Sequence, residues 1–74
     1  MKELSKWTIV ILRRMVNRYG LSNNKHALEV HLTRCIKNCS KKDQKSVWDD
    51  WSWLQSNGFI IRRKKEGQYH IYVV

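Results

Sequence analysis

Four consecutive cations, Arg62, Arg63, Lys64 and Lys65, and a second basic group at Lys41, Lys42 and Lys45 are the side chains of this sequence best suited to chemistry. Guanidinium and ammonium groups donate hydrogen bonds and accept none, so a run of them without intervening acids suits an anionic surface, phosphate oxygens above all. Glu66 alone does not cancel the self-repulsion of the first run. The second group falls at the start of a helix, where the backbone dipole already disfavours cations. An anion expected at that place accounts for the arrangement more easily than solvent does. The plainer reading is a solvated face, in which Lys45 and Asp49 form an exposed pair of little energetic consequence.

Other chemistries have weaker footing. His31, Cys35 and Cys39 form an i, i+4, i+8 ladder of metal-ligand types. A tetrahedral site needs a fourth donor, and one helix face does not wrap a metal. His70 is the sole candidate and no spacing brings it there, so core packing is the expectation for the ladder. Asp49 and Asp50 are adjacent and point to different faces of a helix, no glycine loop cradles phosphate, and no Ser or Cys has an evident base. Neither an enzyme nor a cofactor is expected. Trp51 falls in an apolar stripe with Trp48 and Trp53 on its borders, where wedging between elements is favoured over contact with a partner; Trp7 and Trp53 are the two with some claim to such contact.

At 74 residues the chain makes one domain, residues 1–74, too small for a second core or for enclosing an ordinary cofactor. Its formal net charge of +9 points to a polyanionic partner. With 42% hydrophobic residues and four Trp it has the apolar surface to fold. The apolar run from Ile9 to Leu12 stops at Arg13, far short of the ~20 residues of a membrane span, and no signal peptide fits. A cytoplasmic protein without membrane contact is expected. Cys35 and Cys39 are awkwardly spaced to bridge each other on one helix and read as buried thiols, a disulfide being the minority reading for a thermophilic source.

The elements that position these residues follow from periodicity. There is no proline, and Gly20, Gly58 and Gly67 punctuate the chain. A first helix runs over about residues 4–19. Ile9, Leu12, Val16 and Tyr19 share one face, with Leu4, Ile11, Met15 and Trp7 in a neighbouring band. This apolar arc is wider than packing on one neighbour demands; the surplus reads as a second core contact or a dimer surface, and a homodimer through the first helix is favoured. A second helix is expected over about residues 24–38, capped by Asn23 or Asn24, with Leu28, Leu32, Cys35, Ile36 and Cys39 in one stripe. Ser40 followed by Asp43 is a capping-box pattern opening a third helix over about residues 41–57, with Val47, Trp51 and Leu54 inward. From Phe59 the period changes to two, and Glu66-Gly67 joins two strands of a hairpin over about residues 59–74.

Three helices followed by a hairpin, with Val47, Trp51 and Leu54 leading to Gly58, Phe59, Ile60 and Ile61, resemble the winged helix-turn-helix family. The resemblance implies an α+β fold, three helices with a C-terminal two-stranded β-hairpin wing. It also implies that the third helix enters the major groove of double-stranded DNA while the wing lies on phosphates. The residues it marks as DNA-binding are Lys41, Lys42, Gln44, Lys45 and Ser46 on that helix, and Arg62, Arg63, Lys64 and Lys65 on the wing. Gln44 suits an adenine edge and Lys a guanine. A small transcriptional regulator is the expectation. A winged-helix protein-interaction adaptor using the first helix and the border tryptophans, or RNA binding, is the alternative.

Overall fold

The computed structural model describes residues 2–22 and 25–74. Its elements run in the order α1 (Lys6–Tyr19), β1 (Ala27–Leu28), α2 (Glu29–Lys37), α3 (Lys41–Ser56), β2 (Ile60–Lys65) and β3 (Gln68–Val73). The class is α+β, as expected, but the sheet has three strands, antiparallel in the order β1-β3-β2, and not two.

α1 begins where the Ser5 hydroxyl accepts from the Thr8 amide at 3.3 Å, satisfying one of the unpaired donors of a helix start. It ends at Gly20, whose φ of 71° is the left-handed conformation that closes a helix without Cβ strain. Of the two apolar bands anticipated on this helix, the inward one is that of Ile11 and Met15, joined by Thr8. Leu12 and Tyr19 pack at its border, while Ile9 and Val16 remain 46% and 48% exposed. α1 lies against both α2 and α3, so the stripe facing between those two helices is the one that is buried.

The expected second helix is corrected at its start. Helical structure begins only at Glu29, and Ala27 and Leu28 form β1 instead, opposite Ile71 and His70 of β3. A sheet edge offers these backbone groups partners at once, whereas a first helical turn leaves its amides unpaired. The cap anticipated at Asn23 or Asn24 lies outside the described residues. α2 in fact starts from Leu28 with no side-chain cap, with Glu29 in its first turn to complement the helix dipole.

α3 matches its expected span to within a residue and starts from the anticipated cap. The Ser40 hydroxyl accepts from the Asp43 amide at 3.3 Å and donates to the Asp43 carboxylate at 2.9 Å. Val47, Trp51 and Leu54 are buried, together with one residue not foreseen, Asp50. The core these helices close over is built from Met15, Leu32, Ile36, Val47, Trp51 and Ile71. β2 and β3 pair from Ile60↔Val73 to Lys65↔Gln68, leaving Glu66 and Gly67 as a two-residue loop. Both have positive φ, 53° and 79°, the signature of a type I′ turn, whose twist matches the flanking strands.

Candidate nucleic-acid interface

The first half of α3 carries Lys41, Lys42, Lys45 and Ser46 on its solvent side, Lys41, Lys42, Lys45 and Ser46 being within the described residues and the three lysines free of any carboxylate at ion-pairing distance there. Among the described residues the ion pairs are Lys2–Asp50 and Arg62–Glu29. Ser46 donates back to the Lys42 carbonyl at 3.4 Å. Gln44 is placed differently. It is half-buried, and its amide donates to the Cys39 carbonyl at 2.9 Å, closing the end of α2 against the start of α3. This bond and the Ser40 cap hold a helix-helix turn that contains no glycine.

The wing's four cations do not form one surface. Side chains alternate across a sheet, and cross-strand partners share a face. Ile60, Arg62 and Lys64 lie opposite Val73, Ile71 and Tyr69, so their face is the one that packs on the helices. Arg63 and Lys65 lie opposite His70 and Gln68 on the outer face.

On the inner face Arg62 is engaged. Its guanidinium grips Glu29 at the start of α2 with two hydrogen bonds, one from Nε and one of 3.2 Å from the terminal nitrogen, and covers the Tyr69 ring at 3.4 Å. The Glu29 hydrogen bonds push the Arg62 pKa further up. Lys64 extends beyond it, its ammonium 5.8 Å from the same ring.

On the outer face Arg63 and Lys65 combine with Lys25, His26, His70 and Tyr72 around a cleft of roughly 400 Å³, which Lys64, although its register is that of the inner face, also lines. Nothing in the linear sequence joins these residues. β3 is the central strand, so it brings the segment before β1 to one side of His70 and β2 to the other.

Asp50 is a further residue that sequence reasoning does not find. It is 4% exposed, and its Oδ2 accepts from the Ser5 amide at 2.8 Å and the Thr8 hydroxyl at 2.6 Å, while Lys2 meets Oδ1 at 2.7 Å. Burial by itself would raise its pKa, but the hydrogen bonds from Lys2, Thr8 and Ser5 outweigh that and hold it at about 2. The carboxylate therefore caps α1 from a neighbouring helix. The signal available in the sequence is its position on the inward side of α3 between Val47 and Leu54, with Ser5 and Thr8 in need of an acceptor.

The other candidates resolve locally. His31 stacks on Tyr19 at 4.1 Å, with the planes 8° apart. Cys35 and Cys39 are free thiols, and burial first, then the Asp43 carboxylate, pushes the Cys39 thiol up. Among the described residues no group of three His, Cys, Asp or Glu is placed to hold a metal ion. Trp51 is in the core, Trp53 stacks on Phe59 at 5.7 Å, and Trp7 and Trp48 are 41% and 37% exposed. No helix among the described residues is long and apolar enough to cross a membrane.

Comparison of the chain with protein-family models, curated proteins and solved structures found no match in any of the three. The class defined by the fold is a small α+β domain with a three-stranded antiparallel sheet.

Proposed function

We propose that this chain is a double-stranded DNA-binding domain of the winged helix-turn-helix type, acting as a small cytoplasmic transcriptional regulator. The observation that carries the reading is the set of exposed ammonium groups of Lys41, Lys42 and Lys45 on the first half of α3, without a carboxylate partner among the described residues. Helix-turn-helix domains meet base edges with that part of the recognition helix. The order of elements supports it further, because α2 and α3 are joined by a short turn and followed directly by the hairpin. Lys64 at the inner face of the wing is the cation left to meet phosphate on the helix side, since Arg62 is held by Glu29. Ile9 and Val16, exposed on α1, are the surface for a homodimer.

The test is fluorescence anisotropy with a duplex DNA, a single strand and a duplex RNA at several salt concentrations. Duplex DNA is bound best, with affinity falling steeply as salt rises. The double variant Lys42→Gln, Lys45→Gln lowers the slope of log affinity against log salt by about 0.9 for each phosphate it leaves without a neutralising cation. Absence of duplex binding at low salt refutes the reading.

A second reading rests on the exposure of Trp7 and Ile9 on α1 and of Trp48 on α3. In it the domain is an adaptor for another protein, and its binding survives high salt. RNA binding is the outcome if the duplex RNA wins the anisotropy comparison.

A further inference from the structure

The outer face of the sheet carries features that a groove-bound α3 does not use. The cleft there is concave and of a size typical of small-ligand sites. Lys25, Arg63, Lys64 and Lys65 supply the charge, and among the described residues no Asp or Glu lines it. Its floor is aromatic: His26 meets His70 edge to face at 4.6 Å and lies 6.4 Å from Tyr72, over which the Arg63 guanidinium sits at 5.7 Å. Nδ1 of His70 is buried and has no hydrogen-bond partner among the described residues. A buried polar atom without a partner is unfavourable, and His31 carries another, but His70 is the one whose side chain lines the cation-rich cleft.

We propose that this cleft is a phosphate-binding site separate from α3, in which Arg63, Lys65 and Lys25 neutralise an oxyanion over the floor formed by His26, His70 and Tyr72. Cations that converge without a carboxylate repel one another, and a bound dianion relieves that repulsion while accepting their N–H groups. The groups facing the two imidazoles are Lys25 from the segment before β1, Arg63, Lys64 and Lys65 from β2, and Tyr72 from β3. The oxyanion belongs either to a free phosphate compound or to a nucleic-acid backbone, and the two sources share this chemistry. The site does not depend on α3 entering a groove.

The experiment follows the imidazole resonances of the whole chain during titration with sulfate, inorganic phosphate, AMP and a short DNA duplex, at constant ionic strength set with chloride. His26 and His70 shift and saturate, whereas His31, stacked on Tyr19 away from the cleft, does not. Arg63→Gln and His26→Gln replace exposed side chains, so the fold is kept, and removal of one charge-assisted bond weakens sulfate by about tenfold. Lys42→Gln with Lys45→Gln leaves the sulfate titration unchanged even if it abolishes duplex binding, which separates this proposal from the preceding one. Saturation by AMP and phosphate but not by the duplex assigns a free phosphate compound; saturation by the duplex at far lower concentration assigns backbone phosphate. Shifts that chloride reproduces, or shifts unaffected by Arg63→Gln, overturn the proposal.

Discussion

Asp50 offers the sharpest test of how this small domain is held together. Asp50→Ala removes the acceptor of two α1 donors, the Ser5 amide and the Thr8 hydroxyl, in a place where Thr8 is 1% exposed. Stranding a buried donor costs about 1–3 kcal/mol. Thr8 keeps a hydroxyl partner in Ser5 at 2.8 Å, so the combined cost comes to about 2–3 kcal/mol and not the sum of two full penalties. For a chain of this length each kcal/mol moves the melting temperature by about 4–8 °C, so a fall of about 10–20 °C is expected.

The same residue has a pH signature. A folded pKa of about 2, against the ordinary 3.8 of an aspartate, gives stabilisation that is present above pH ~4 and lost as pH falls toward 2, since the unfolded chain takes up the proton first. Discounted for the partial exposure of Lys2, this contribution is about 1–2 kcal/mol at neutral pH. Urea unfolding of the natural chain and of Asp50→Asn at pH 7, 5, 3 and 2 measures it. Their difference in stability shrinks on acidification below pH 4. A difference constant over that range, or an Asp50→Ala chain within about 0.5 kcal/mol of the natural one, refutes the clasp.

Three further outcomes are expected. Glu66 has a φ of 53° in the first central position of a type I′ turn, so Glu66→Asn, better suited to that region, raises stability by about 0.5–1 kcal/mol, read from the urea midpoint. Gln44→Ala removes the bond to the Cys39 carbonyl and lowers stability by about 1 kcal/mol; a variant that changes only DNA preference shows that Gln44 leaves this bond to read a base. Ile9→Glu leaves the unfolding midpoint of dilute, monomeric protein unchanged, because Ile9 lies outside the core, but abolishes the proposed dimer in sedimentation at high concentration. A natural chain already monomeric at high concentration removes α1 as a self-association surface.

What is legible in the sequence divides from the rest along a physical line. Elements set by local chemistry are legible: the Ser40 and Asp43 cap, the Gly20 stop, the Glu66-Gly67 loop and the change of period at Phe59 each depend on neighbours within a few residues. β1 is not, because its two residues are extended only by virtue of Ile71 and His70, far along the chain. Asp50 and Arg62 escape for the same reason. By sequence one is only a neighbour of Asp49 and the other a wing cation, but their partners are Ser5, Thr8 and Lys2 in the first case and Glu29 in the second. On α1 two apolar bands are visible, and only the packing of α2 and α3 decides between them.

The wing shows why a charge run should be read through the geometry of its element. On a disordered tail Arg62 to Lys65 would act as one cationic patch. On β2 they are divided by the pleat, and the division gives neighbouring residues different work. Arg62 fastens the hairpin to the start of α2 through Glu29 and stacks on Tyr69. Arg63 and Lys65 face outward beside His26, His70 and Tyr72. The net charge of +9 is therefore not a measure of one footprint. A polyanion laid along α3 meets Lys41, Lys42 and Lys45, and the cations of the outer sheet face remain available to a second anion. If a single duplex satisfied all of them, neutralising α3 and neutralising the outer face would reduce the salt slope of the same binding curve. If the pleat separates them, each set of variants acts on its own ligand and leaves the other titration as it was.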